Sequence, residues 1–113
     1  GGAAEVARAL GVTVLLKGAR TLIATPDGGA IAVAAGTGWL ATAGTGDVLG
    51  GVLGALLAAN PGAPLEEAAA AGAWLHGYAA RIASGSANGE AGHPIVASDV
   101  AQALPRAIAD VLA

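Results

Sequence analysis

Two stretches of this chain hold residue types that can do chemistry. Leu40–Leu49, "LATAGTGDVL", sets one carboxylate, Asp47, directly behind Gly44, Thr45 and Gly46 and ahead of a long apolar run. Leu16–Thr21, "LKGART", offers a cation at Lys17, a flexible backbone at Gly18 and Ala19, a second cation at Arg20 and a hydroxyl at Thr21. If a helix begins at Thr45, its first-turn amides find no partner inside the helix. They point, with the positive end of the helix dipole, at whatever lies in front. Gly44 and Gly46 carry no side chain, so a phosphate can come close to the backbone. Gly44, Thr45 and Gly46 are therefore a candidate anion hole. Asp47, in the same turn, is a candidate base toward a substrate hydroxyl.

Each feature also has a plainer reading. Acids are common in first helical turns, so Asp47 alone reads equally well as a capping charge. Lys17 alone reads as a solvated charge at a strand end, and a glycine-rich turn is a weak signal. Together they are more specific. Lys17 follows the carboxyl end of a strand, where open α/β sheets bind ligands. With Lys17 and Asp47 flanking a hairpin, one end contacts a nucleotide and the other does chemistry.

The elements that must position these residues follow from pattern. Ala3–Leu10 is a short helix stopped by Gly11. "VTVLL" (Val12–Leu16) is a continuous β-rich run, which predicts a strand covered on both faces. "TLIAT" (Thr21–Thr25) and "AIAVAA" (Ala30–Ala35) flank Pro26-Asp27-Gly28-Gly29, strong turn chemistry for a β-hairpin. Gly36–Gly44 shows neither period and reads as loop. A helix is predicted from near Thr45 to about Ala59, with Val48, Leu49, Val52, Leu53, Leu56 and Leu57 on one broad face. Gly46, Gly50 and Gly54 line another side, open to close approach by a neighbouring backbone. A further helix runs from Pro64 to about Ser84, with Glu66 and Glu67 at its positive end. Gly85–Pro94 reads as polar and flexible. Ser98 suits the N-cap of a last helix, Asp99–Leu112, with Pro105 inside it as a possible bend.

Composition narrows the classes. Of 113 residues, 55% are apolar and 12% charged, too hydrophobic for a disordered chain. Much of the apolar content is alanine, and with 19 glycines and no Phe or Met the core is thin. The chain is expected to bury surface against further sequence or a partner subunit. Opening on Gly rather than Met, it reads as a fragment or a processed chain. No cysteine is present, which excludes a disulfide framework and thiolate metal sites. No charged stretch precedes an apolar one as in a secretory signal, and the cytoplasm is the default location. Net charge is −3 and the five Lys and Arg are scattered, so nucleic acid is not an expected partner. Val48–Ala59 carries the Gly50-x-x-x-Gly54 spacing of helix pairs in lipid, but it is shorter than the ~20 residues of a span. A buried helix is expected instead.

At this point the sequence resembles a family. "VTVLLKGARTLIATPDG", "LATAGTGDVLGGVLGALLA", "EEAAAAGAWLHGYAA" and "IVASDVAQALPRAI" look, in order and spacing, like the C-terminal half of the ADP-dependent NAD(P)H-hydrate dehydratases. These are the YjeF C-terminal-domain repair enzymes of the ribokinase-like superfamily. The resemblance implies an α/β fold, a ribokinase-like three-layer α/β/α sandwich around a mostly parallel sheet. Residues 1–113 are then the C-terminal portion of one such domain: strand, β-hairpin, then three helices. It implies dehydration of the S epimer of hydrated NADH or NADPH at the expense of ADP (or ATP), with Mg²⁺ on the nucleotide. Lys17, Gly18, Ala19, Arg20, Thr21 and Gly46 are implied to contact the adenine nucleotide. Asp47 is implied to contact the hydrated cofactor as base. The implied route is phosphoryl transfer to the C6 hydroxyl, stabilised by the Gly44–Gly46 amides, then elimination of phosphate. The family also implies a homo-oligomer, a tetramer or larger.

The chain departs from the pattern at Trp39, where a small residue is usual; Trp39 is expected to cover the site or pack on a neighbour. The family's N-terminal half, which holds further contacts to the hydrated nicotinamide, is not in this sequence. Two other functions stay open: a ribokinase-like kinase of a vitamin precursor or small alcohol, and an inactive nucleotide-binding fragment. His76, on an apolar helix, reads as a packed core residue and His93 as loop surface. Two separated histidines are no metal site. Asp110 reads as a solvated terminal charge.

Overall fold

The computed structural model describes every residue except Gly1, Gly18, Ala19, Ala35, Ala41, Thr42 and Ala43. The expected nucleotide contacts of Gly18 and Ala19 therefore lie outside the described residues. Helix α1 (Gly2–Leu10) is followed by β1 (Val14–Leu16), β2 (Thr21–Ala24) and β3 (Ala30–Val33). A 3₁₀ turn over Gly38–Leu40 leads to α2 (Thr45–Ala59), α3 (Leu65–Ala83) and α4 (Ala97–Leu112). This is the expected order, and α2 has the expected bounds.

The strands form one antiparallel sheet in the order β1-β2-β3, with Leu16 opposite Leu22 and Ala24 opposite Ala30. The mostly parallel sheet implied for the whole domain is not found among these three strands. Side chains alternate across a strand. Leu22 and Ala24 accordingly pack with Val14 against Ala3 and Ala7 of α1, while the fully buried Ile23 points to the other face. Helix α3 lies against β2 and β3. The result is three layers, α1, sheet and α3.

Strand β1 is not covered on both faces as expected: Val14 and Leu15 are half-buried and Leu16 is 55% exposed. The reason is position: among the described residues α3 reaches the sheet over β2 and β3 rather than over β1.

The hairpin closes as its residues predict. Thr25 donates its amide to Gly29 O at 2.9 Å and accepts at its carbonyl from Gly28 N at 3.2 Å. Gly28 takes φ +99°, a conformation that glycine reaches without strain. Asp27 accepts from the Thr25 hydroxyl and, at 3.1 Å, from Gly29 N. Those two donors favour the carboxylate and hold Asp27 below its ordinary pKa.

The second core joins α3 to α4 through Ala79, Ala80, Ile95, Val100, Ala103 and Ala107. Small residues let helix backbones approach. Gly72 of α3 is the clearest case, since a Cβ there would stand 2.6 Å from Leu53 Cδ2 of α2. The stripe expected to do this, Gly46, Gly50 and Gly54, meets no helix backbone among the described residues: a Cβ at Gly50 or Gly54 would meet nothing within 4 Å, and one at Gly46 only Lys17 Nζ at 3.6 Å. α2 is turned so that its leucines, not its glycines, face α3. No helix of the described residues is long and apolar enough to cross a membrane. An apolar groove of about 390 Å³ opens between α2, α3 and α4, lined by Val52, Leu75, Leu104 and Ile108 among others. It agrees with the thin core expected from composition.

Helix α4 begins two residues before Asp99 and is capped by Val96, not by Ser98. Asp99 reaches back to accept from Val96 N at 2.8 Å, so the acid does the capping that was expected of the serine. Pro105 lies inside α4, which continues to Leu112. Asp110 is not merely solvated. It accepts from Tyr78 Oη at 2.7 Å and pairs with Arg106 at 3.2 Å, tying α4 to α3. The bond to Asp110 raises the Tyr78 pKa above its ordinary value.

Candidate functional site

The site forms where the end of β1 meets the start of α2. Gly44 caps α2 with φ +88° and ψ −9°, the left-handed region that side chains disfavour. A Cβ there would also stand 3.1 Å from the Cβ of Ala97, the first residue of α4. Glycine is required at Gly44 by both conformation and space.

Thr45 faces inward. It is 3% exposed, and its hydroxyl donates to Leu40 O at 2.8 Å. From α3, His76 Nε2 stands 2.9 Å from Thr45 O. A carbonyl only accepts, so Nε2 carries the imidazole proton. His76 is buried as the sequence suggests, but its partner is the candidate site itself. Burial pushes the His76 pKa below 6.5, the bond to Thr45 opposes this, and the nearby charge of Lys17 lowers it further.

The outer side of the turn is open. Gly46 and Asp47 are exposed. The amides of Asp47 and Val48 turn back to Gly44 O, at 3.1 and 3.3 Å, so the expected hole is bounded at Asp47. Lys17, exposed beyond the end of β1, brings its ammonium to 3.6 Å from the point where a Gly46 Cβ would be. A cation therefore stands over the N-terminus of α2, which is itself the positive end of a helix. Such an arrangement asks for an anion between the two. Among the described residues, Asp47 has no ion-pair partner and its carboxylate accepts no hydrogen bond.

The other residues expected here fare differently. Arg20 is exposed, and no bond from it to the turn is found among the described residues. Thr21 opens β2, half-buried, opposite Val33. Trp39 donates from Nε1 to Ala91 O at 2.8 Å and remains 37% exposed. It fastens the following loop.

That loop, expected to be flexible, is pinned along its length. Arg81 donates to Ala87 O at 3.1 Å, His93 N to Ser84 O at 2.8 Å, and the Ser84 and Ser86 hydroxyls bond at 2.7 Å. A short polar loop can be held by backbone carbonyls that leave no trace in residue type. Gly92 sits at its tightest point, with φ +77° and a hypothetical Cβ 2.6 Å from Ser84 O. Gly92→Ala is expected to cost about 1–3 kcal/mol through backbone strain, seen as a lower urea midpoint; an unchanged midpoint would show that the loop gives.

Sequence reasoning missed the bond from His76 to Thr45. The signal was there: an imidazole among Gly72, Ala73, Gly77, Ala79 and Ala80 must find a polar partner, because a buried unpaired nitrogen is costly. A second expectation concerns acid. Because His76 sits below 6.5 in the folded chain, the unfolded chain takes up the proton first as pH falls. The stability that neutral His76 contributes is full above 6.5 and is lost as pH falls through its folded-state value. Urea midpoints of wild type and His76→Gln from pH 8 to 5 should diverge below ~6.5, with the steeper acid loss in wild type; parallel curves would refute it.

Comparison with known proteins bears on the family and the fold. The chain is 48% identical over 99 residues to the ADP-dependent (S)-NAD(P)H-hydrate dehydratase of Neisseria meningitidis, covering 88% of this chain and 32% of that protein. It is 48% identical over 84 residues to the bifunctional NAD(P)H-hydrate repair enzyme of Mycobacterium leprae, covering 74% of this chain and 17% of that protein. The ADP/ATP-dependent NAD(P)H-hydrate dehydratase of Bacillus subtilis, co-crystallised with ATP/Mg²⁺, superposes with a TM-score of 0.80 at 31% identity. That match covers 96% of this chain and 37% of the Bacillus chain. The chain thus spans about a third of the length of the first of these relatives. With the family model matching residues 1–106, this chain belongs to the NAD(P)H-hydrate dehydratase family.

Proposed function

We propose that this segment serves the nucleotide-dependent dehydration of the S epimer of hydrated NADH or NADPH, restoring the reduced cofactor. One observation carries the reading: the Lys17 ammonium stands over Gly46 at the start of α2, and the carboxylate of the next residue, Asp47, is exposed and without a partner among the described residues. Lys17, Gly46 and the Gly18–Thr21 segment bind the adenine nucleotide in this reading, with the amides of Gly44–Gly46 toward the transferring phosphoryl group. Asp47 takes the proton of the C6 hydroxyl as that oxygen gains the terminal phosphoryl group, with AMP leaving from ADP, or ADP from ATP. Loss of phosphate from C6 together with a proton from C5 then restores the C5–C6 double bond. The pattern suits phosphoryl transfer, which needs positioning and charge stabilisation more than covalent help from the protein.

Among the described residues, no three His, Asp or Glu side chains gather as a metal cage. Mg²⁺ carried on nucleotide phosphates needs none, since it keeps several waters and takes few protein carboxylates. Bound there, it would neutralise phosphate charge, and Asp47 is the carboxylate within this turn that such a complex would meet. The reading also takes the complete protein to be cytoplasmic and homo-oligomeric, which fractionation and sedimentation test.

The deciding experiment measures both consumption of ADP or ATP and release of free phosphate with hydrated NADH, hydrated NADPH and a panel of vitamin alcohols. It is run on this chain alone and on the chain joined to the rest of the length its relatives carry. Consumption with phosphate release on the hydrates supports the dehydratase. Consumption with alcohols alone, the phosphoryl group staying on the alcohol and no phosphate freed, makes the protein a kinase. ADP binding in a calorimeter without turnover in either form leaves a nucleotide-binding remnant.

A further inference from the structure

We propose that His76 is a positioning residue, holding the turn Gly44–Asp47 from α3 so that its outer side stays aimed at the anion. This rests on the reading of that turn as the phosphate and substrate site. Thr45 lies in the first turn of α2, where its carbonyl already serves the helix ladder. The imidazole takes a second, lateral position on the same oxygen at 2.9 Å. Space filling does not explain a histidine here. Its neighbours on the buried face of α3 are alanine and glycine, and an aliphatic side chain would fill the volume without burying nitrogen.

Among the described residues the grip has three sides. His76 holds the Thr45 carbonyl, the Leu40 carbonyl holds the Thr45 hydroxyl, and Ala97 of α4 closes on Gly44. All three act on the inner side of the turn. Gly46 and Asp47, on the outer side, are left exposed under Lys17. A site that stabilises transferring charge works through donors fixed before the reaction, and small displacements weaken it. The neutral imidazole suits this place. A charged one would sit beside Lys17 and the positive end of α2, so burial and charge both keep the ring neutral.

Three measurements decide it. First, ¹⁵N shifts of the His76 ring should show the neutral tautomer with the proton on Nε2; a proton on Nδ1 overturns the proposal. Second, His76→Leu keeps volume and loses the donor, whereas His76→Gln keeps a donor at similar reach. Losing one such bond should speed amide exchange over Gly46–Leu49 by about tenfold in the Leu variant, with the Gln variant close to wild type. Equal exchange in all three, or equal loss in both variants, overturns it; His76→Met replaces Leu should that variant not fold. Third, in the form that turns over hydrate, His76→Leu should lower kcat about tenfold while KM for ADP moves little, and Gln should restore kcat. A KM effect alone, or no rescue, overturns it. Wild type without turnover counts against the dehydratase reading, and the first two measurements still decide the role of His76.

Discussion

On the proposed reading, in the form that turns over hydrate, Asp47→Asn is expected to lower turnover of hydrated NADH by about a thousandfold, within the range that a general base contributes, and to leave ADP affinity within a few-fold. The replacement is nearly isosteric and keeps an oxygen at the same place, so it removes proton acceptance without removing bulk. Asp47 is exposed and bonds to no other side chain among the described residues. Little of the fold therefore hangs on its charge. If Asp47 only complemented the helix dipole, the change would cost about 0.3–1 kcal/mol of stability and spare turnover. Steady-state kinetics beside calorimetry with ADP separate the two roles. Unchanged turnover removes Asp47 from the mechanism.

Lys17→Ala weakens ADP binding by roughly ten- to a hundredfold, the equivalent of one charge-assisted bond to phosphate. The side chain is exposed and joins no ion pair among the described residues, so the free chain loses little when it is cut. The salt dependence of ADP binding should also become shallower, because an exposed charge acts through a screened field. Gly46→Ala is the companion test. Its methyl would stand 3.6 Å from Lys17 Nζ, an ordinary contact, and alanine favours a helix over glycine by up to about 1 kcal/mol. The variant should fold at least as well as wild type yet bind ADP more weakly, since the methyl fills the gap between ammonium and turn. Unaltered affinity in both variants returns Lys17 to ordinary surface charge.

Much of the fold was legible because the elements announce themselves locally. Pro26-Asp27-Gly28-Gly29 between two β-rich runs can hardly be other than a hairpin, and its bonds form as turn chemistry dictates. The apolar period after Gly46 marks α2 along its length. Most of what was misjudged involves partners distant in the chain. Val12–Leu16 reads as doubly covered because its residues are apolar, but cover depends on where α3 lands. The glycines of α2 read as a packing seam, but which side of an all-apolar helix faces inward is decided by the neighbours it meets. One miss is local: α4 starts two residues earlier than expected, so Asp99 rather than Ser98 reaches the amide of Val96.

The candidate site divides in the same way. Residue type and spacing alone select Lys17, Gly44, Gly46 and Asp47, because a left-handed cap, a helix N-terminus and a lone acid are properties of a few neighbouring residues. That Lys17 stands over Gly46, across 29 positions of chain, is decided by the path of the sheet and hairpin between them. That His76 reaches Thr45, 31 positions away, is decided by how closely small residues let α3 approach. Local chemistry is written in neighbouring side chains, whereas a meeting of distant groups exists only once burial has fixed how the layers stack.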